Sequence, residues 1–324
     1  MTREEGEIPR KGLSPPGPSA ARCATACCFI LLFALVPSLA GAQSLEPRLY
    51  IPLPTGHNFV STSYSHTSGD VILDSAVPIT GFHSAVDGVT LAYVRTFGLL
   101  GRAAQVQFVA PFVTGTAHAV LVGQDTTREL RGAADPMLRL AVNLAGGPAR
   151  RRAEMAGKRL GTIVGASLSL SPPLGHYDHG RRLNVGANRW SLKPELGFVQ
   201  PWGRTKRWAI EAYAGVWLFS DNSAYVDTST VSQEPLWTLQ SHFIRVLGRR
   251  GWVALDGTLV RGGATSVDGV VQNNFQNNSR LGATAAWSLG RGHSLKASFS
   301  SGVYTRFGGD FDVFAFGYQY GWGG

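Results

Sequence analysis

The sequence predicts an all-β chain: a single antiparallel transmembrane β-barrel of about 12 strands, with both termini periplasmic. Three observations predict it. The segment Asp312–Trp322 puts Phe314, Phe316, Tyr318, Tyr320 and Trp322 at alternate positions, with Ala315, Gly317, Gln319 and Gly321 between them. A strand turns successive side chains to opposite faces, so this segment has one aromatic face and one small, polar face. Lipid suits the first face and a barrel lumen the second. Residues 1–42 read as an export signal. No later stretch approaches the roughly 20 apolar residues of a membrane helix, and only a closed barrel satisfies the backbone in lipid without one.

The signal has a polar region with Arg3, Arg10, Lys11 and Arg22, an apolar run from about Ala24 to Leu39, and Ala40-Gly41-Ala42 before Gln43. Positive, apolar and small-x-small regions in that order are the secretory pattern. A membrane anchor would need a longer run without Pro37. The expected division is 1–42 signal, cleaved, and 43–324 barrel. All three cysteines (Cys23, Cys27, Cys28) fall inside the signal, so the exported chain has no thiol for a disulfide, a metal or a nucleophile.

Twelve alternating segments follow. The first, about 58–66, is weak, because Ser61–Ser65 is largely polar on both faces. The second (88–97) carries Val89, Leu91, Tyr93 and Phe97, interrupted by Arg95. The third (103–114) opposes Phe108 and Phe112 to Gln105 and Gln107; the fourth (135–144) opposes Leu138, Leu140 and Val142 to Arg139 and Asn143. The fifth (161–170) sets Val164 and Leu168 against Ser167 and Ser169, and the sixth (190–199) sets Leu196 and Phe198 against Lys193 and Glu195. The seventh (208–219) has Ile210 and Leu218 against Glu211 and Tyr213, and the eighth (236–246) has mixed faces. The ninth (252–261) opposes Leu255 and Leu259 to Asp256 and Thr258. The tenth (279–289) carries Leu281 and Trp287, and the eleventh (294–304) opposes Phe299 and Val303 to Lys296 and Ser298. The aromatic segment is the twelfth and is expected to close the barrel against the first. Period two over about ten residues is the transmembrane-strand signature.

Short turns follow segments two, six, eight and ten, a moderate connection follows four, and longer ones follow one, three, five, seven and nine. Short turns belong to the periplasmic side and long loops to the outside. A secreted β-sandwich would carry charges on its outward faces, whereas one face of most segments here carries none. The net charge of +9 comes partly from connectors such as Arg150–Arg152, Arg181-Arg182 and Arg249-Arg250. No basic stripe interleaves with aromatics, which speaks against nucleic acid as a partner. Contact with anionic headgroups of outer-membrane lipid explains the same charge.

Arg139, Lys193, Glu195, Glu211, Asp256 and Lys296 oppose the apolar faces and are the candidate lumen-lining residues. A Lys or Arg facing mid-bilayer lipid would cost roughly 2–4 kcal/mol, which an inward orientation avoids. They read either as a selectivity-setting lining or as a charge network bracing a plugged lumen. A hairpin centred near Gly203/Arg204 would bring Lys193 beside both Glu195 and Glu211. Catalytic signals are thin: His176-Tyr-Asp-His179 is loop-borne and weak as a metal site, and His66-Thr-Ser68 is a short hint of a hydrolase. No catalytic residue, metal or cofactor is expected, and the chain reads as a non-enzyme.

Tyr50–Asn58, Gly132–Met137, Pro173–Asp178 and Leu183–Glu195 resemble the outer-membrane family named for the meta-pathway of phenol degradation, over about residue 46 to the C-terminus. The most specific part is Asn184-x-Gly-x-Asn188-Arg189-Trp190 with Lys193-Pro-Glu195. The resemblance implies a transporter-like barrel linked with aromatic catabolism in a Gram-negative outer membrane, reached by Sec-type export and the outer-membrane assembly machinery. It places Asp178, Asn184, Asn188, Arg189 and Trp190 at the third outer loop, as loop-motif candidates that order the mouth. The expected function is passive passage of small hydrophobic or aromatic solutes. The alternatives are a structural or surface-interaction barrel with a plugged lumen, and an outer-membrane hydrolase.

Overall fold

A computed structural model describes residues 45–323 apart from 74–78, 122, 156, 182 and 227; the signal lies outside the described residues. Strands β1 (His57–Ile72), β2 (Ile79–Leu99), β3 (Arg102–Leu121), β4 (Gln124–Ala133) and β5 (Met137–Ala145) come first. A single helical turn, α1 (Arg152–Met155), precedes β6 (Ile163–Ser171), β7 (Ser191–Trp202) and β8 (Trp208–Phe219). Then follow β9 (Asn222–Tyr225), β10 (Ser229–Gln233), β11 (Leu236–Leu247), β12 (Gly251–Gly262), β13 (Thr265–Val267) and β14 (Val270–Val271). The chain ends with β15 (Gln276–Gly290), β16 (His293–Thr305) and β17 (Gly308–Gly323).

Twelve of these strands close an antiparallel barrel in the order β1-β2-β3-β5-β6-β7-β8-β11-β12-β15-β16-β17, and β17 pairs back onto β1. The seam is continuous from His57↔Gly323 to Ile72↔Gly308. The weak first segment is therefore a full strand, because its partners on both sides supply the ladder that its own composition does not advertise. Closure leaves no barrel edge to template aggregation.

Outward positions are apolar and exposed around the circumference: Val60, Leu91, Phe112, Leu140, Leu168, Leu196, Ile210, Leu239, Leu255, Leu281, Phe299 and Phe316 among them. A surface of that kind would be insoluble in water; it is the lipid-facing band of an outer-membrane barrel. Aromatics mark its ends. Trp202, Trp208 and Phe243 cluster at the short-turn end, as do Tyr320 and Trp322, while Trp190 and Trp237 stand at the other. The eighth segment, mixed in sequence, alternates cleanly in the structure as β11, with Leu236, Thr238, Gln240, His242 and Ile244 buried.

The turns fit their chemistry. Leu100-Gly101 and Arg291-Gly292 both have positive φ at two successive residues, the type I′ geometry that matches strand twist in a two-residue hairpin. Two expected long outer loops are mostly strand instead. The β1–β2 ribbon stays paired to Asp70/His83 and the β3–β4 ribbon to Leu121/Gln124, beyond the band. Interstrand hydrogen bonds need no apolar face, so polar residues such as Asp125–Arg128 extend the ladder where the lipid ends. The β8–β11 and β12–β15 connections form a four-stranded sheet at the outer end, ordered β14-β13-β10-β9, around Tyr225, Val231 and Val267.

Candidate functional site

Inside the barrel, the residues before β1 run along the lumen and dock on its wall. Glu46 Oε2 lies 2.7 Å from Arg139 Nη1. The Arg48 amide donates to Glu211 Oε2 at 2.7 Å, and Gln105 Nε2 donates to the Leu49 carbonyl at 3.2 Å. Tyr50 is fully buried; its hydroxyl donates toward Ser167 Oγ and Glu195 Oε1, at 3.1 and 3.2 Å, and its ring meets Tyr213 edge-on. Gly165 and Gly197 make room for that ring: a Cβ on either would overlap ring carbons. Sequence reasoning named Tyr50 only as the start of a family-like stretch and did not single out Glu46 or Arg48. No strand period could have flagged them, because residues 47–50 form a turn with Arg48 at positive φ and the Ile51 amide bonding back to the Arg48 carbonyl.

Five of the six candidate lining residues, Arg139, Lys193, Glu195, Glu211 and Asp256, are buried. Lys193 Nζ pairs with Glu195 Oε2 at 2.6 Å and lies 5.7 Å from the Trp217 ring centre. Arg139 Nε donates to Ser169 Oγ at 3.0 Å. Asp256 takes His242 Nδ1 at 2.7 Å and the Thr284 hydroxyl at 2.6 Å. His242, which the sequence reading left out, faces both Glu211 and Asp256 across the ladder. One expectation is corrected. The β7–β8 hairpin centres on Thr205, with Trp202 opposite Trp208, so Glu211 sits across from Val199 and four residues out of register with Glu195. Lys193 thus pairs with Glu195 and not with Glu211, which is held by the Arg48 amide and the Tyr213 hydroxyl.

The lumen is not uniform. Inward positions on β5 to β12 are buried, from Arg139 and Asn143 round to Asp256 and Thr258. The opposite wall, β16-β17-β1-β2-β3, is accessible: Ser61, Ser63, Thr90, Gln107, Gly317 and Gln319 are partly exposed, and Lys296 is exposed. A packed half and an open half therefore share one barrel. At the outer end of the open half sits an apolar cluster of Val71, Phe82, Ala117, Phe307 and Phe311, with Leu183 against it.

At the mouth, the loop-motif residues hold one another. Asn184 Oδ1 accepts the Asp178 amide at 2.8 Å, and its Nδ2 donates to the Asp178 and Arg181 carbonyls. Asn188, at positive φ, donates to Asn222 Oδ1 at 2.8 Å and so ties the loop to β9. Arg189 is buried, donates to Gln233 and stacks on Phe219 at 4.4 Å. Burial pushes its guanidinium down to about 10, against the opposing pull of Asp135 and Asp221. Trp190 is half exposed, with its amide on Ser220 Oγ. Asp135 was missed as a site residue: its two carboxylate oxygens take the Gly175 and Ala187 amides, both at 2.7 Å, and clamp the two ends of the motif loop.

The other histidines do different work. His179 contacts the Ala224 carbonyl and Asp178 pairs with Arg181, and among the described residues no three metal-binding side chains converge. His66 pairs with Asp87 at 2.8 Å. Ser68 Oγ is 3.3 Å from His83 Nε2, whose Nδ1 is 2.9 Å from Asp70. Those distances suit a proton relay, but the His83 and Asp70 side chains are 48% and 78% exposed, so water competes for every contact.

A family model described as "Putative MetA-pathway of phenol degradation" matches residues 65–316. No curated protein matches the chain by sequence. Among solved structures, an outer membrane channel from Pseudomonas putida F1 has the same fold, with a TM-score of 0.71 at 20% identity over 86% of this chain and 100% of that one. The beta domain of the Bordetella autotransporter BrkA gives 0.49 at 15% identity over 82% and 99%. The KdgM porin gives 0.43 at 6% identity over 80% and 98%.

Proposed function

This chain belongs to the family described as "Putative MetA-pathway of phenol degradation", and from that premise we propose that its barrel is a passive outer-membrane channel for small hydrophobic or aromatic solutes. The observation that carries this is the accessible wall β16-β17-β1-β2-β3, which faces a wall buried under the inserted segment. Small residues such as Ser61, Ser63 and Gly317 leave width along that wall. In this reading Lys296 and the buried ion pairs hold the lining and its field in place. Liposomes containing the barrel should leak phenol-like solutes faster than sugars of similar size. No leak above empty liposomes refutes the proposal.

The inserted segment favours a second reading, a non-transporting barrel whose lumen is plugged. The two separate on one comparison: a variant lacking residues 45–51 leaks while the intact chain stays tight only if the segment is a plug. In either reading the Lys193–Glu195 and Arg139–Glu46 pairs act by position, and neither requires chemistry at Ser68.

A further inference from the structure

The topology collects cations that are scattered in sequence onto one rim. Every short-turn connection carries them: Arg102 after the β2–β3 turn, Arg150–Arg152 with Lys158 and Arg159 between β5 and β6, and Arg204, Lys206 and Arg207 between β7 and β8. Arg249 and Arg250 follow in the β11–β12 turn and Arg291 in the β15–β16 turn. Glu154 is the single carboxylate among the described residues of these connections, and it accepts the Arg151 amide. Carboxylates gather at the other end instead, as with Asp70, Asp125, Glu129, Asp178, Asp268 and Asp310.

On one side this rim becomes a built patch. Arg159 Nη1 donates to the Arg204 carbonyl at 3.4 Å, which joins the β5–β6 and β7–β8 connections, and the Val246 amide donates to the Arg207 carbonyl at 2.8 Å, which ties the latter to the end of β11. Directly toward the bilayer, on the outward face, Trp202 stacks on Trp208 and Phe243 meets both rings at a tilt. Arg245 sits on that same outward face, its guanidinium 4.3 Å from the Trp208 ring centre. Among the described residues the ion pairs of Arg and Lys involve Arg139, Arg181 and Lys193, so none of the rim cations has a carboxylate partner. A guanidinium on the lipid-facing surface is tolerated at an interface when a phosphate meets it. A cation cluster bordering an aromatic platform supplies charge for a headgroup and rings for its acyl chains.

We infer that this patch binds the phosphate headgroups of anionic phospholipids in the periplasmic leaflet, with Arg245, Arg204 and Arg207 as the contacting groups. The inference rests on the barrel's orientation and is independent of what crosses the lumen. The spread of cations around the whole rim favours lipid, which surrounds a barrel, over a protein partner, which covers one side.

The test uses the full-length barrel extracted from nanodiscs of equal phosphatidylglycerol and phosphatidylcholine, with retained lipid counted by native mass spectrometry. Phosphatidylglycerol should be retained preferentially, less so at high salt. Arg245→Gln should lower that preference roughly five-fold, from about 1 kcal/mol per basic residue near an anionic surface. The turn variant R204Q/R207Q should do likewise, and R128Q/R131Q at the outer end should not. Heat-modifiable gel mobility confirms that each variant is folded. Equal retention of the two lipids overturns the inference, as does equal loss in the outer-end control. Binding of soluble polyglutamate without lipid preference also overturns it and assigns the rim to an acidic protein partner.

Discussion

Gly197→Ala should loosen the inserted segment without opening the barrel wall. Gly197 faces the lumen beneath Tyr50, and an added methyl would occupy the space of the ring. The neighbouring β6 and β8 ladders hold the β7 backbone, so the ring has to leave. Tyr50 is 1% exposed, and its hydroxyl contacts Ser167 and Glu195. Expelling a fully buried aromatic forfeits on the order of 3–5 kcal/mol, by analogy with large-to-small core substitutions. Each 1.4 kcal/mol is tenfold, so the docked population of the segment should fall by more than a hundredfold relative to wild type. Single-channel recording in planar bilayers reads this as larger or longer conductance steps, and labelling of a cysteine introduced at Leu49 reads it as faster modification. Tyr50→Ala, which removes the ring without any clash, should move both readouts in the same direction. Unchanged conductance and labelling in both variants, with the barrel folded, would refute the claim that Tyr50 pins the segment.

Other outcomes follow from the same contacts. Glu46→Gln leaves the buried Arg139 guanidinium without its charge partner; segment docking should weaken by about 1–3 kcal/mol, and a double-mutant cycle with Arg139→Gln should recover most of that loss. Leu255→Arg on the lipid-facing surface should cost roughly 2–4 kcal/mol in urea unfolding from liposomes, whereas Ser63→Arg on the accessible inward wall should cost far less. Asp268 is held below the usual carboxylate range by the Thr230 amide and the Ser229 hydroxyl. A lowered folded value means that its stabilisation is present above the ordinary carboxylate value and is lost as pH falls through the folded one. The protection factor at Thr230, corrected for the intrinsic pH dependence of exchange, should therefore hold at neutral pH and fall only below the ordinary carboxylate range, and Asp268→Asn should remove that fall.

The amino-acid sequence by itself determined the barrel. Strand period two, an aromatic closing strand and alternating connector lengths are local patterns, and local patterns survive in one dimension. Most barrel strands were legible because lipid-facing residues must be apolar at every second position, whereas the seam partner of Phe314–Trp322 showed only as a weak polar segment that its neighbours complete. The inward orientation of Lys193, Glu195 and Asp256 was legible for the same reason. The Lys193–Glu195 pair was legible too, but the partners of Glu211 and Asp256 were not. Register is set by turn geometry, and a hairpin centred on Thr205 in place of Gly203/Arg204 separates Glu211 from Glu195. Only the tertiary structure brought Glu46 to Arg139, 93 positions apart, or Arg48 to Glu211, since such contacts depend on how a segment folds back into a closed lumen. It also decided which half of the lumen is packed, and that the basic connectors share one rim. Closing twelve strands into a ring fixes which turns lie at the same end, whereas the order of residues along the chain fixes only which strands are amphipathic.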